Sequence, residues 1–199
     1  MTRDRDVTAF AERADRYDEG WLGRWHHDVA TRSAAIAATA QPAAGRVLDV
    51  GCGTGYLLGE LATRLPDATE LIGVDAAPPM VATARPRTTD PRVRYSVALA
   101  ESLPFRDNSF DLVVSTVSFD HWSDQPAGLA ECRRVLRVGA HLVLTDLISS
   151  WLWPTTLTTR RRARTVGRAR ALLDAAHLHP THWQPIPPFL RAVTAQAVE

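Results

Sequence analysis

The sequence predicts an α/β fold in which helices cover both faces of a largely parallel β-sheet. Apolar strand-like segments alternate with helix-like segments between residues 46 and 147. A glycine cluster joins the first of these strands to the helix that follows it. The 199 residues, 45% of them hydrophobic, suffice for one domain with a sizeable core, and this composition excludes disordered and collagen-like chains.

The N-terminal region, residues 1–45, is predicted to form a helical cap. Phe10, Ala14 and Tyr17 recur at helical spacing, and a cluster of tryptophans and histidines follows them. A second, alanine-rich helix is expected over residues 28–40, because the proline and glycine that come next break helices.

Residues 46–147 hold the alternation on which the fold prediction depends. Strand-like segments lie at 46–50, 70–74, 92–99, 110–116 and 141–148. Helix-like segments lie at 56–65 and 78–85, and a third begins where Ser123 or Asp124 can cap it. Strand and helix repeated in this way are typical of a parallel sheet.

Residues 148–199 begin with an aromatic segment, continue as an arginine-rich helix and end in a proline-broken stretch. The helix is expected to run to about residue 177, and two last strands are expected at 182–186 and 189–198. The arginines of 160–170 indicate a solvated face of an amphipathic helix, with an anionic partner or membrane headgroups as the alternative.

Charge and cysteine content narrow the range of functions. The chain carries 23 basic and 22 acidic residues, whereas a general nucleic-acid binder has a larger basic excess. Cys52 and Cys132 lack metal-ligand spacing, so no metal site is indicated. The charged N-terminus is unlike a secretory signal, and no apolar run approaches the roughly 20 residues of a membrane span. A cytoplasmic location is therefore expected.

The segment VLDVGCGTG, residues 47–55, carries the strongest functional signal. Gly51, Gly53 and Gly55 follow a strand and precede a helix, so the backbone there can approach a ligand closely. A dinucleotide fingerprint needs a third glycine where Tyr56 stands, which disfavours a nicotinamide cofactor. A tight turn without a ligand is the remaining alternative.

Two aspartates accompany this loop. Asp75 ends the second strand, where a carboxylate can accept hydrogen bonds from ribose hydroxyls or, alternatively, cap the helix beginning at Pro78. Asp49 lies inside the apolar first strand, and a buried carboxylate there needs donors. Loop amides and a ligand ammonium are the donors expected.

Four segments together resemble the class I S-adenosylmethionine-dependent methyltransferases, above all the small-molecule group that includes the ubiquinone/menaquinone-biosynthesis methyltransferases. VLDVGCGTG is similar to the family's first motif. The other three segments resemble later family motifs in the family's order, and they are GVDAAPPM (73–80), AESLPFRDNSFDLVVS (100–115) and AECRRVLRVGAHLVLTD (130–146).

The resemblance implies a Rossmann-like three-layer sandwich with a mostly parallel seven-stranded sheet and an antiparallel last strand. It implies one methyltransferase domain over residues 1–199. Within it, residues 1–45 form the helical cap, 46–147 the cofactor-binding core, and 148–199 a substrate-side insertion, a helix and the terminal strands.

The resemblance also implies that the cofactor is S-adenosylmethionine, with S-adenosylhomocysteine as product. Gly51 and Gly53 would lie against its methionine portion, Asp75 on the ribose, and Ala76 and Met80 on the adenine. The other cofactor-binding residues implied are Tyr17, Asp49, Ala100, Glu101, Ser115 and Thr116. Leu99 stands where family members often carry an acidic residue for the adenine amino group, so Glu101 is the alternative acceptor.

Candidates for the chemistry lie near the carboxyl ends of the strands. His121 follows the fourth strand and is a candidate general base, with a purely structural role as the alternative. Trp151 and Trp153 follow the fifth strand and indicate an aromatic substrate wall or a packed lid. His26 and His27 are adjacent, so they do not share a helix face and form no metal pair, and His27 is assigned to the substrate site.

The sequence thus predicts methyl transfer from S-adenosylmethionine to a small molecule, by a monomer or homodimer that does not bind nucleic acid. One alternative is a methyltransferase-like protein that binds the cofactor or its product without turnover. The other is a nicotinamide-dependent oxidoreductase, which Tyr56 disfavours.

Overall fold

Seven strands form one sheet in the computed structural model, which describes residues 8, 11, 12, 14–148 and 165–199. The strands are β1 (Arg46–Val50), β2 (Glu70–Asp75), β3 (Val93–Val97), β4 (Phe110–Thr116), β5 (Leu136–Asp146), β6 (Leu178–Ile186) and β7 (Leu190–Ala197). Their order is β3-β2-β1-β4-β5-β7-β6. The β7 strand runs antiparallel to both of its neighbours, and the other pairs are parallel. The predicted mostly parallel sheet with an antiparallel last strand is therefore confirmed.

Helices cover both faces of this sheet. They are α1 (Gly20–Ala40), α2 (Tyr56–Arg64), α3 (Pro78–Ala84), α4 (Gln125–Val135) and α5 (Val166–Ala175). One buried cluster joins α4 and α5 to one face, and a second joins α1, α2 and α3 to the other. The two clusters make the molecule a three-layer sandwich, as the sequence predicts.

Nearly continuous burial along the central strands explains why they form. Val47, Leu48 and Val50 are almost fully buried, so β1 lies between both helical layers, as expected for a strand of a parallel sheet.

The α4 helix begins after Asp124, whose Oδ1 accepts a hydrogen bond from the Ala127 N–H at 3.0 Å. Of the two predicted caps, Asp124 is therefore the one used.

Three sequence-based boundaries are wrong. The β6 strand begins at Leu178, four residues before the predicted residue 182. The α1 helix begins at Gly20 instead of near residue 28, and a short 3-10 turn, Ala14–Arg16, precedes it. The positive φ of Gly20, +67°, breaks the helical path between the two. The β5 strand begins at Leu136, five residues early, because its first residues pair with β4 before a register shift between Phe110 and Leu112.

The carboxyl ends of β1, β2 and β4 meet at one edge of the sheet, near the point where the strand order reverses. Ligands of open parallel sheets bind at such an edge.

Candidate functional site

The glycine loop after β1 is held in a conformation that depends on its glycines. Gly51, Gly53 and Gly55 all have positive φ, between +52° and +84°. A Cβ atom at Gly51 would collide with the Ser118 side chain, and one at Gly55 would collide with the ring of Tyr95. A Cβ at Gly53 would meet nothing within 4 Å, so backbone there faces open space. The loop is therefore packed from behind and open on the ligand side.

The first cavity is a cleft of about 780 Å³, counting the space open to solvent, between this loop and the ends of β2 and β4. It brings together most of the side chains and backbone segments that the sequence singled out. The predicted residues that line it are Tyr17, Gly51, Gly53, Asp75, Ala76, Met80, Ala100, Glu101, Thr116 and His121. Leu99, Val117, Ser118 and Trp122 also line it, and the sequence reasoning assigned none of them a definite role in the site.

Asp75 braces the first cavity through both carboxylate oxygens. Its Oδ2 accepts a hydrogen bond from the Gly53 N–H at 2.9 Å, and its Oδ1 accepts one from the Ala77 N–H at 2.8 Å. Burial raises the pKa of Asp75, while these two bonds act in the opposite direction. Each oxygen keeps a further lone pair, so the carboxylate can also accept from ligand hydroxyls. Asp75 thus ties the glycine loop to the start of α3.

A second cavity, of about 470 Å³ by the same measure, adjoins the first. Five residues line both cavities, and they are Tyr17, Gly51, Gly53, Thr116 and Val117. The second cavity is bounded further by Asp18, His26, His27, Asp49 and Tyr56. The two cavities can therefore hold two parts of one elongated ligand that crosses the glycine loop.

Buried oxygen atoms without partners face this second cavity. Asp49 is 1% exposed, and neither of its carboxylate oxygens has a hydrogen-bond partner among the described residues. Burial, with the charge of Asp75 as a smaller cause, raises the pKa of Asp49 well above its ordinary value. The Thr116 Oγ1 is likewise buried and unpartnered. Of the loop amides expected to serve Asp49, those of Gly51 and Cys52 donate to the Val74 carbonyl and that of Gly53 donates to Asp75.

The N-terminal segment supplies the outer wall of the second cavity. The Tyr17 ring stacks on His26 at 4.7 Å, and the His27 ring stacks on Tyr56 at 3.8 Å. Both adjacent histidines therefore line the cavity, one on each side. Sequence reasoning assigned only His27 to the site, and the structure brings His26 to the same cavity, because a concave wall spans more than one helix face.

Asp18 fastens this wall to the rest of the site. Its Oδ1 lies 3.0 Å from His27 Nε2 and accepts a hydrogen bond from Thr54 Oγ1 at 3.1 Å. The carboxylate also forms an ion pair with Arg87. A Cβ at Gly23 would collide with the Asp18 backbone, so only glycine lets α1 approach this closely. Burial and the nearby charge of Asp75 raise the pKa of Tyr17 to about 12, which keeps its hydroxyl protonated.

Asp146, at the end of β5, holds the turn that carries His121. It is 4% exposed, and its Oδ2 accepts a hydrogen bond from the Asp120 N–H at 3.2 Å. Burial raises the pKa of Asp146 to about 6. His121 lines the first cavity together with Trp122 and Ser123, and it does not line the second.

One described residue of the predicted site, Ser115, lies outside this arrangement. The Ser115 side chain is fully buried, its Oγ donates to the Val50 carbonyl at 2.8 Å, and the residue lines neither cavity. Trp151 and Trp153 fall outside the described residues. Within the described part of the chain, no group of three or more metal-ligating side chains could hold a metal ion. None of its helices is long and apolar enough to cross a membrane.

Comparison with known proteins shows which family model and which curated proteins the chain resembles. Residues 48–144 match a family model described as "Methyltransferase domain". The chain is 39% identical over 141 residues to a demethylmenaquinone methyltransferase of Thermus thermophilus, an alignment that covers 69% of this chain and 63% of that protein. Matches to two Roseiflexus proteins of the same name span 48% and 50% of their lengths, so the chain spans about half to two thirds of these relatives.

Solved structures share the fold at low sequence identity. A methyltransferase from Haloferax volcanii, solved in complex with the Trm112 methyltransferase activator, superposes with a TM-score of 0.79 at 21% identity, covering 96% of this chain and 98% of that one. An S-adenosylmethionine-dependent methyltransferase from Aquifex aeolicus superposes with a TM-score of 0.74 at 18% identity, covering 94% and 98%. These likenesses concern the architecture.

Proposed function

We propose that this chain transfers the methyl group of S-adenosylmethionine to a small-molecule acceptor, because residues 48–144 match the methyltransferase-domain family model. The observation that carries the proposal is the pair of adjoining cavities across the glycine loop, with Asp75 bracing one and the unpartnered Asp49 carboxyl facing the other. S-adenosylmethionine has two dissimilar halves, an adenosine and an amino acid, and each matches one cavity.

The first cavity fits the adenosine half. Asp75 accepts from the ribose hydroxyls with the lone pairs that the Gly53 and Ala77 amides leave free. Met80 is 2% exposed and supplies an adaptable apolar surface beside the adenine, together with Ala76 and Ala100. Glu101 Oε1 already accepts a hydrogen bond from the Asp124 N–H at 3.0 Å. The remaining lone pairs of this carboxylate can accept from the adenine amino group, because Leu99 occupies the position of the acidic residue that often has this task in the family.

The second cavity fits the amino-acid half. A ligand ammonium would satisfy the carboxyl of Asp49, which has no hydrogen-bond donor among the described residues. A backbone carbonyl at Ser115 or Thr116 would share this task, and the Thr116 hydroxyl adds a further buried partner. Gly51 and Gly53 let the chain pass close to the ligand between the two halves.

The bound sulfonium supplies the reactive methyl group, which an in-line nucleophile removes. The chain's own residues bind, orient and exclude water. Tyr17 lines both cavities and closes the outer side, while Thr116 and Val117 close the inner side at the end of β4. The methyl group is thereby confined to the region that the two cavities share.

Several expectations complete the proposal. The acceptor is a small molecule, with the demethylmenaquinone named for relatives as the first candidate, and not a nucleic acid, since basic and acidic residues nearly balance. The protein works as a monomer or homodimer in the cytoplasm. One domain spans residues 1–199, with its cap at 1–45, its core at 46–147 and its substrate side at 148–199.

Calorimetric titration with S-adenosylhomocysteine, with NAD as the control ligand, tests the cofactor class. Binding of the first at about micromolar affinity and none of the second is the expected result. Labelled methyl transfer to a panel of phenols and reduced quinones then tests turnover. Binding without any transfer would favour a cofactor-binding protein that lacks catalysis, and binding of NAD alone would favour an oxidoreductase.

A further inference from the structure

We infer that Arg134, together with Glu131, is the positioning residue through which the site selects adenine over other purine bases. The inference rests on the proposed function, in which Glu101 accepts a hydrogen bond from the adenine amino group, and it adds the pair that fixes where Glu101 lies. Arg134 and Glu131 line neither cavity, so both act through the segment that they hold.

A tight turn carries Ala100 and Glu101 into the first cavity. The Ser102 N–H donates to the Leu99 carbonyl at 3.1 Å, so residues 99–102 form a turn with Ala100 and Glu101 at its tip. Both tip residues line the first cavity. The turn belongs to residues 98–109, which connect β3 to β4 outside either strand. Such a connection keeps a fixed shape only through its contacts with other parts of the molecule.

Two contacts hold the entry side and the tip of this turn. The Ala98 N–H donates to the Asp75 carbonyl at 3.1 Å, which ties the entry side to the end of β2. At the tip, Glu101 Oε1 accepts from the Asp124 N–H at 3.0 Å, at the start of α4. The direction of the Glu101 carboxylate therefore depends on how the turn and α4 are held together.

Glu131 and Arg134, both on α4, hold the exit side. Glu131 Oε2 accepts a hydrogen bond from the Leu103 N–H at 2.8 Å, and Arg134 Nη2 donates to the Leu103 carbonyl at 3.0 Å. One pair of side chains therefore fixes both backbone groups of the first residue after the turn. Arg134 Nη1 also donates to the Phe105 carbonyl and to Asp107 Oδ1, both at 2.7 Å.

The Arg134 guanidinium uses every donor that it has. An arginine side chain carries five N–H groups, and Arg134 makes five hydrogen bonds, two of them to the Glu131 carboxylate at 2.7 and 2.8 Å. Hydrogen bonds from Arg134 lower the pKa of Glu131, so this carboxylate stays charged at neutral pH. The planar fork of an arginine is what joins the turn to α4 in this way, and a lysine could not replace it.

The position of the Glu101 carboxylate decides which base fits the first cavity. Adenine presents an amino group that donates to a carboxylate, whereas hypoxanthine carries a carbonyl oxygen at the same place, which a carboxylate repels. A carboxylate that is held in place therefore separates the two bases by attraction and repulsion together. A carboxylate that is free to move away loses both effects, so the Arg134–Glu131 pair controls the ratio of the two affinities.

Calorimetric titration with S-adenosylhomocysteine and S-inosylhomocysteine measures this ratio. The wild type should bind the adenine ligand about 30-fold more tightly, the usual effect of a hydrogen bond to a charged group. Arg134→Gln should lower the ratio to about threefold or less, mainly by weakening the adenine ligand. The matched control is Arg133→Gln, which should keep the wild-type ratio, because Arg133 is the preceding residue of α4 and donates to the Val198 carbonyl at 2.7 Å instead.

Two further variants keep the test decisive if Arg134→Gln folds poorly. Glu131→Gln keeps the size of the side chain and removes only its charge, and it should lower the ratio in the same direction. Glu101→Gln should remove most of the discrimination directly. Adding Arg134→Gln or Glu131→Gln to Glu101→Gln should then change the ratio by less than about twofold, because all three residues act on one contact.

The outcomes separate this inference from the proposed function. Failure of the wild type to bind S-adenosylhomocysteine would refute the proposed function itself. Equal affinity of the wild type for the two ligands would refute selection of adenine by Glu101, and with it the role of Arg134. An unchanged ratio in Arg134→Gln and Glu131→Gln, even with both affinities lowered, would assign the pair to packing alone. The same loss of discrimination in Arg133→Gln would also contradict a specific role of Arg134.

Discussion

The two cavities of the site lie side by side but are built in different ways. The first is made largely by backbone and by carboxylate contacts to backbone, as where Asp75 joins the amides of Gly53 and Ala77. The second is made by side chains from distant parts of the chain, with His26 and His27 of α1 facing Asp49 of β1. In the first cavity the key carboxylate is satisfied before a ligand arrives, and in the second the Asp49 carboxyl is not.

This difference separates two tasks. A backbone-built cavity presents the same groups whatever side chains surround it, which suits a nucleoside common to a whole family. A side-chain wall can change its chemistry by substitution, which suits a cavity that holds the amino-acid half of the cofactor and borders the acceptor. The variants below test this division, beginning with the largest expected effect.

Gly51→Ala should damage both cavities, because Gly51 lines both and its new Cβ would collide with Ser118. Positive φ adds strain for alanine, and we expect S-adenosylhomocysteine affinity to fall by about 100-fold, or roughly 3 kcal/mol. Calorimetry measures the loss. Gly59→Ala is the control, since its Cβ would meet nothing within 4 Å in the α2 helix, and equal affinities of the two variants would contradict the close packing of the loop.

Asp75→Ala should weaken binding through the first cavity. Loss of a charged hydrogen-bond acceptor predicts a cost of about 1.5–3 kcal/mol, roughly 10- to 150-fold in Kd. Adenosine and S-adenosylhomocysteine should lose affinity alike, because both carry the ribose. Asp67→Ala, at an exposed turn, is the control, and an unchanged Kd in Asp75→Ala would remove Asp75 from the site.

Gly23→Ala should affect the second cavity more than the first. Its Cβ would collide with the backbone of Asp18 and displace the segment that carries Tyr17. Overpacking of this kind costs about 1–3 kcal/mol, and we expect about tenfold weaker binding of S-adenosylhomocysteine with a smaller change for adenosine. Titration of both ligands measures the ratio, and an unchanged ratio would mean that the segment takes no part in binding.

Asp49→Asn should give the smallest signal, a change in proton release. The raised pKa of Asp49 favours its neutral form in the free protein, and a bound ammonium favours the carboxylate, so binding at mildly acidic pH should release a proton. Calorimetry in two buffers of different ionisation enthalpy measures the number of protons released on binding. The Asn variant should release fewer protons, and equal release would place the ammonium elsewhere.

The raised pKa of Asp49 also predicts how the stability of the free protein depends on pH. The unfolded chain ionises Asp49 at its ordinary pKa, whereas the folded chain ionises it only at higher pH. The unfolded state therefore binds fewer protons in the interval between, and the free energy of unfolding falls as pH rises through it. Denaturant unfolding across this interval should show a flatter dependence for Asp49→Asn.

The sequence predicts the first cavity better than the second, because the first is built largely from backbone and the second from side chains of distant segments. The bounds of β1 and β4 follow from local apolar runs, and the glycine loop follows from φ requirements that a motif displays directly. The second cavity depends on which side chains tertiary packing brings to one place. Nothing in the amino-acid sequence shows that Asp18 pairs with His27, Thr54 and Arg87, or that both adjacent histidines line the second cavity.

The misplaced start of α1 shows the same limit. Helical spacing of Ala14 and Tyr17 suggests a continuous helix, but Gly20 at φ +67° turns the chain back so that Tyr17 lies on His26. Tyr17, which the family resemblance assigns to the cofactor, stands with Asp18 shortly before the histidines. The close approach of Asp18 to Gly23, which fixes this segment against α1, appears only in the structure.

The central claim is that one ligand occupies both cavities, and paired calorimetry of adenosine and S-adenosylhomocysteine tests it most directly. Adenosine fills only the first cavity, so the amino-acid half should improve affinity by about 100-fold, the effect of roughly two charge-assisted contacts. Equal affinity for the two ligands would mean that the second cavity, with its unpartnered Asp49, takes no part in binding the cofactor and would contradict the account.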